Sequence, residues 1–374
     1  MKARRRRSRR LASRRRSVVR PLWPLIGLAL AAAAAAALLA SRRRNGDSPW
    51  APAGSADGAG GRREADDEET AGAVAGGGAV RSAARAASSR ATETEEEAAA
   101  AAAAATADGE AAPVPAEQLW IAGPAGNLFV RDCGEAAGGR LPVLFVHSLA
   151  GNGGQWALQL DHLRRRRHAV ALDLRGHGDS DPAEDGAYDV PSLAADVGAV
   201  ADHFALRRFV LAGHSLGAAV AICYASEHPQ RVAGLLLVDP NGDQTRIPRG
   251  QLEPFLEALR AEPLRELEAY FRQLTMGGDR DAARWVIEDL RLTHEDAIPA
   301  AVEAAAEFAP LPALARYDGP RLAVISDANS LPYSLHHLLP NLPVQLVRGT
   351  GHWLMMDRPE VFNTILDDFL DSVE

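Results

Sequence analysis

Ser215 lies in Gly213-His214-Ser215-Leu216-Gly217, a G-x-S-x-G pattern that follows an apolar, strand-like run and precedes a helical one. In that setting the glycines permit a turn too sharp for side chains beside the nucleophile, and the turn presents a hydroxyl above a sheet. A serine hydroxyl is a weak nucleophile at neutral pH, so this chemistry requires a base, and the base requires an orienting acid. His352, in Gly349-Thr350-Gly351-His352-Trp353, directly follows the last strand-like run and is the candidate base. The chemistry implied is nucleophilic attack on a carbonyl. His214, next to the serine, is expected to pack within the turn.

The elements that must position these residues are legible as alternating segments. Runs at 141–147, 168–174, 208–214, 232–239, 321–327 and 344–349 are short, β-branched and leucine-rich, and each predicts a buried strand. Helical patterns at 190–206, 216–229 and 358–370 lie between or after them. Segments 119–123 and 127–132 predict a leading antiparallel hairpin. The alternation predicts an α/β fold: a mostly parallel sheet with helices on both faces. Functional residues then collect at the loops after the strand carboxyl ends. Between Asp239 and Pro320 no strand pattern occurs and several amphipathic helices do, which predicts a helical lid over about residues 243–316. Phe255, Tyr270, Phe271, Met276 and Trp285 either line a pocket beneath that lid or pack it onto the core.

The remaining sequence divides differently. The chain has 374 residues and a formal net charge of −8, but residues 1–44 hold fourteen basic residues and no acid. Residues 1–20 form a basic arm, and 21–40 are an uncharged run of twenty, long enough for a membrane-spanning helix. Eleven positive charges before that run and three after it predict a cytoplasmic N-terminus and an extracytoplasmic remainder. Cleavage at Ala40-Ser41 and secretion is the alternative. Residues 41–116 are Ala-, Gly- and Glu-rich low-complexity sequence, too poor in large apolar side chains to offset ordering entropy, and predict a disordered linker. The acidic balance excludes a duplex nucleic-acid binder. Two cysteines, Cys133 and Cys223, exclude a disulfide scaffold and a Cys-based zinc module, and both are expected as buried thiols. The sequence leaves oligomeric state open.

Four motifs in order, His147-Ser148-Leu149, Asp173-Leu174-Arg175-Gly176-His177-Gly178-Asp179-Ser180, the GHSLG turn and Gly351-His352-Trp353, resemble the α/β-hydrolase superfamily over residues 117–374. The resemblance implies a Ser-acid-His triad with Ser215 and His352. The position at which such proteins usually carry the acid, after the strand that follows the lid, holds Asn329 here. A minority carry it after the preceding strand, which implies Asp239, with Asp327 second and Asp243 as a further alternative. The resemblance also implies an oxyanion hole from the amides of Leu216 and Leu149, in a loop where Ser148 replaces the usual glycine. His147, Ser148, His214 and Trp353 join the pocket candidates.

The Asp173–Ser180 segment is read as a polar turn locked by an Arg-carboxylate bond, holding the oxyanion loop; its spacing fits no metal-ligand set. No cofactor is implied, and the expected partner is a small-molecule acyl substrate. Ester hydrolysis is the leading reading. Lactone, amide or carbon-carbon hydrolysis, cofactor-free peroxidation, and a catalytically silent, membrane-tethered binding protein are alternatives.

Overall fold

The computed structural model describes residues 116–134 and 139–374. The basic arm, the apolar run at 21–40 and the linker up to residue 115 lie outside the described residues. Among the described residues no helix is long and apolar enough to cross a membrane.

Eight strands form one sheet: β1 Glu117–Gly123, β2 Gly126–Cys133, β3 Val143–Val146, β4 Ala169–Leu172, β5 Phe209–His214, β6 Val232–Val238, β7 Arg321–Ser326 and β8 Val344–Val347, in the order β1-β2-β4-β3-β5-β6-β7-β8. β1 and β2 form an antiparallel hairpin, β2 pairs antiparallel with β4, and every other pairing is parallel. The helices are α1 Ala157–Leu163, α2 Val190–His203, α3 Leu216–Glu227, α4 Arg249–Ala261, α5 Pro263–Leu274, α6 Arg280–Asp289, α7 Ala297–Glu307, α8 Pro310–Leu314, α9 Leu335–Leu338, α10 Leu354–Asp357 and α11 Pro359–Val373.

Strand periodicity explains the two covered faces. Leu144 and Val146 of β3 join a core with Val197 and Val200 of α2 and Val220 of α3. Phe145, between them, points the other way and stacks on Trp156 at 4.7 Å, and Trp156 contacts Phe362 of α11 at 6.1 Å. A strand buried on both sides has no polar face to alternate with, so β3 reads as an unbroken apolar run. Both cysteines are free and buried.

Helices α4 to α8 fill the sequence between β6 and β7, where no strand pattern was found. Their apolar spacing is helical: α5 buries Leu267, Phe271 and Leu274. The Asp279 side chain caps α6, accepting from the amides of Asp281 at 2.8 Å and Ala282 at 3.0 Å. The sheet order matters for the site. The chain leaves β3 toward β4 on one side while β5 lies on the other, so a crevice opens between the loops that follow β3 and β5.

Candidate active site

Ser215 ends β5 and opens α3 with φ 53° and ψ −111°, a conformation a side-chain-bearing residue rarely takes. Its amide donates to the Val238 carbonyl at 3.0 Å, tying the turn to β6. The two glycines are required by close approach. A Cβ at Gly213 would lie 2.1 Å from the Gly217 carbonyl oxygen, and one at Gly217 would lie 2.5 Å from the carbonyl oxygens of both Val146 and His147.

His352 stands on the loop after β8, and its Nδ1 lies 2.6 Å from Oδ2 of Asp239, on the loop after β6. Both side chains are buried. Asp239 has a positive φ of 40°. Its carboxylate is filled by further donors: the Ser326 amide at 2.8 Å, the Ser326 hydroxyl at 2.9 Å and the Asn329 side-chain amide at 3.1 Å. These donors fix the orientation of the carboxylate and leave Oδ2 aimed at the imidazole. Asp327 points elsewhere: it receives the Gly349 amide at 3.1 Å and pairs with the exposed Arg348 at 3.4 Å. Asp243 is bound to Thr245 and Arg246.

The His352 backbone is pinned from two sides. Its amide donates to the Leu274 carbonyl, at the end of α5, at 2.9 Å. Its carbonyl accepts from Nε2 of His214 at 2.9 Å. Burial holds the His214 imidazole well below its ordinary pKa, so this ring is neutral and adds no charge beside His352.

In the loop after β3, Nε2 of His147 accepts from the Leu174 amide at 2.9 Å, which leaves Nδ1 protonated to donate to the Ser148 carbonyl at 2.6 Å. Burial pushes His147 down to about 4, keeping that neutral tautomer. Ser148 does not take a positive φ in this loop, whereas Ala150 does, at 49°. Ser148 and Leu149 line the same cavity as Ser215, Leu216 and His352. Leu216 is the first residue of α3, so its N–H has no partner within the helix.

A model of the alpha/beta hydrolase fold family matches residues 142–359. The chain belongs to that family. Among curated relatives of this alpha/beta hydrolase, the dihydrolipoyllysine-residue acetyltransferase component of an acetoin cleaving system from Cupriavidus necator is 28% identical over 62% of this chain and 64% of that protein. The chain thus spans less than two thirds of that relative's length. A 2-(acetamidomethylene)succinate hydrolase from Mesorhizobium japonicum is 27% identical over 62% of this chain and 88% of that protein. Among solved structures, a thermophilic esterase from Thermogutta terrifontis superposes with a TM-score of 0.58 at 23% identity, covering 69% of this chain and 99% of that one, a likeness of fold.

The polar segment of this alpha/beta hydrolase is held by Arg-carboxylate bonds, as the sequence suggests, but each has its second partner outside the segment. The Asp173–Ser180 turn is not locked by its own arginine. Arg175 reaches out to Asp196 of α2, with contacts at 2.6, 3.0 and 3.1 Å, and Asp173 pairs with Arg131 of β2 at 2.5 Å. Asp173 still ties down the segment that follows β3, accepting from the Gly153 amide at 2.6 Å. His177 donates Nδ1 to the Arg175 carbonyl at 2.9 Å and is pushed down to about 3 by burial. No cluster able to hold a metal occurs among the described residues.

The cavity above Ser215 has a volume of about 830 Å³. Ser148, Phe255, Tyr270, Phe271, Met276 and Trp353 line it, as does Asp327. His147, His214 and Trp285 do not. The two histidines are fully buried, held by the hydrogen bonds above, and Trp285, 39% exposed, lies instead against Gly154 in a separate hollow. Sequence reasoning missed Ser326 as a donor to Asp239 and took Asn329 only as a missing acid. A signal was present for the second: asparagine keeps the shape of the acid and can donate.

Proposed function

We propose that this alpha/beta hydrolase is a serine hydrolase that cleaves a carboxylic ester through an acyl-enzyme on Ser215. The observation that carries the reading is the 2.6 Å contact of His352 Nδ1 with Asp239, made beside a serine in a strained strand-to-helix turn. Asp239 holds the Nδ1–H tautomer, leaving Nε2 as the base. His352 takes the Ser215 proton as Oγ attacks the carbonyl carbon, and the amides of Leu216 and Leu149 receive the developing oxyanion. The alcohol leaves with the proton from His352. Water, deprotonated by the same imidazole, then attacks the acyl-serine, and the acid departs as Oγ recovers its proton.

The helices between β6 and β7 act as a lid that excludes water, with Leu274 joining it to the base. The apolar run at 21–40, with its basic flanks, supports a membrane anchor that places the hydrolase domain outside the cytoplasm. Ser215→Ala and His352→Ala should each remove nearly all hydrolysis of a short p-nitrophenyl ester while leaving the circular dichroism spectrum unchanged. Retained hydrolysis in either folded variant rejects the mechanism.

A further inference from the structure

The cavity that holds Ser215 is large and nearly all of its wall is uncharged. At about 830 Å³ it stands in the upper part of the usual range for small-molecule sites. Phe255, Leu267, Phe271 and Leu274 supply an apolar side, and Ala301 and Val302 of α7 contribute small side chains that leave volume unfilled. No arginine or lysine is among its described lining residues. The two carboxylates that do line it are already committed: Asp239 to His352, and Asp327 to the Gly349 amide and Arg348. An anionic group entering here loses its water and gains no counter-charge, which is steeply unfavourable. A methylene gains with every carbon buried.

We infer that the site selects an uncharged ester with a long apolar arm and refuses esters whose arm ends in a carboxylate. This rests on the hydrolase reading only for the ester itself; the selectivity is a property of the cavity and can be read without turnover. Tyr270 and Tyr333 also face the cavity, and burial pushes the hydroxyl of Tyr333 up to about 12, so at neutral pH both are donors without charge. Their hydroxyls can donate to an ester oxygen, while to a carboxylate they offer a hydrogen bond but no counter-charge.

The test measures binding to full-length Ser215→Ala by calorimetry and turnover by the wild-type protein. Across methyl butanoate, hexanoate and octanoate, and across butyl, hexyl and octyl acetate, affinity should rise by about fourfold per methylene in at least one series, and that series identifies the arm the cavity holds. Monomethyl octanedioate should bind at least about a hundredfold more weakly than methyl octanoate. Val302→Trp, made alongside, should flatten the chain-length dependence. Equal affinity along both series, or equal binding of the charged and uncharged octyl-length esters, overturns the inference. Binding with the expected selectivity but no turnover by wild-type protein supports the cavity argument and rejects the hydrolase reading.

Discussion

Asn329 donates its side-chain amide to Oδ1 of Asp239 at 3.1 Å, across the ends of the neighbouring strands β7 and β6. The same amide reaches the Pro240 carbonyl at 3.0 Å, and its oxygen accepts the Ser334 hydroxyl at 2.8 Å, so its orientation is set. The residue standing where an acid was expected is a neutral support for an acid one strand earlier. Asn329→Ala should lower kcat by about tenfold to a hundredfold, the range for a hydrogen bond to a charged group, with little change in KM. Equal loss in kcat and in thermal stability without that kinetic split would make Asn329 merely structural.

Asp239 and Asp327 follow the neighbouring strands β6 and β7 but differ in what they touch. Asp239→Asn should reduce kcat by about 10⁴-fold, as expected when the imidazole loses its orienting charge. Asp327→Asn, which only loosens the loop at Gly349, should cost less than about tenfold. Steady-state kinetics on the two variants check this, and the reverse ranking would assign the acid to Asp327.

Much of this arrangement could be read before the structure because the fold's strands are buried on both faces and announce themselves as apolar runs. The GHSLG turn, or elbow, was equally legible, since Gly213 and Gly217 each stand where a Cβ would meet backbone. What sequence spacing does not carry is which of several polar partners a side chain selects across the fold. Arg175 lies two residues from Asp173, yet it bonds Asp196, 21 residues on, while Asp173 takes Arg131, 42 residues back. His147 and His214 are pocket candidates from their motifs, and His214 is also expected to pack within the turn, where it is fully buried. Neither ring lines the cavity, and each secures a carbonyl of a functional loop.

Asp289, at the end of α6, is 6% exposed and receives Gln155 Nε2 at 3.1 Å; burial pushes its carboxyl from 3.8 up to about 6. Between those two values the folded protein therefore holds a proton there that the unfolded chain has released. Stability from this group is present below the lower value and is lost as pH rises through the window between them, by about 3 kcal/mol. Asp289→Asn should remove that loss. Thermal melts at pH 4 and pH 7 should show the variant gaining on wild type by on the order of 5–10 °C between the two pH values. A constant difference would show that Asp289 does not titrate in this range.

Gly217→Ala should be poorly tolerated because its Cβ would press on the carbonyls of Val146 and His147 at 2.5 Å. Displacing α3 from β3 moves Ser215 and the Leu216 amide together. Urea unfolding should report a loss of about 2–4 kcal/mol, with kcat falling beyond what the stability loss explains. Wild-type stability and rate in this variant would contradict the close packing of the elbow.

The central claim is that Ser215 is a nucleophile activated by His352 and Asp239. The most direct measurement is reaction of the full chain with a fluorophosphonate probe, followed by mass spectrometry of the modified peptide. One adduct on Ser215 in the wild-type protein, nearly absent in His352→Ala and strongly slowed in Asp239→Asn, is the predicted result. A folded wild-type protein that leaves Ser215 unlabelled, or that labels equally well without His352, would contradict it.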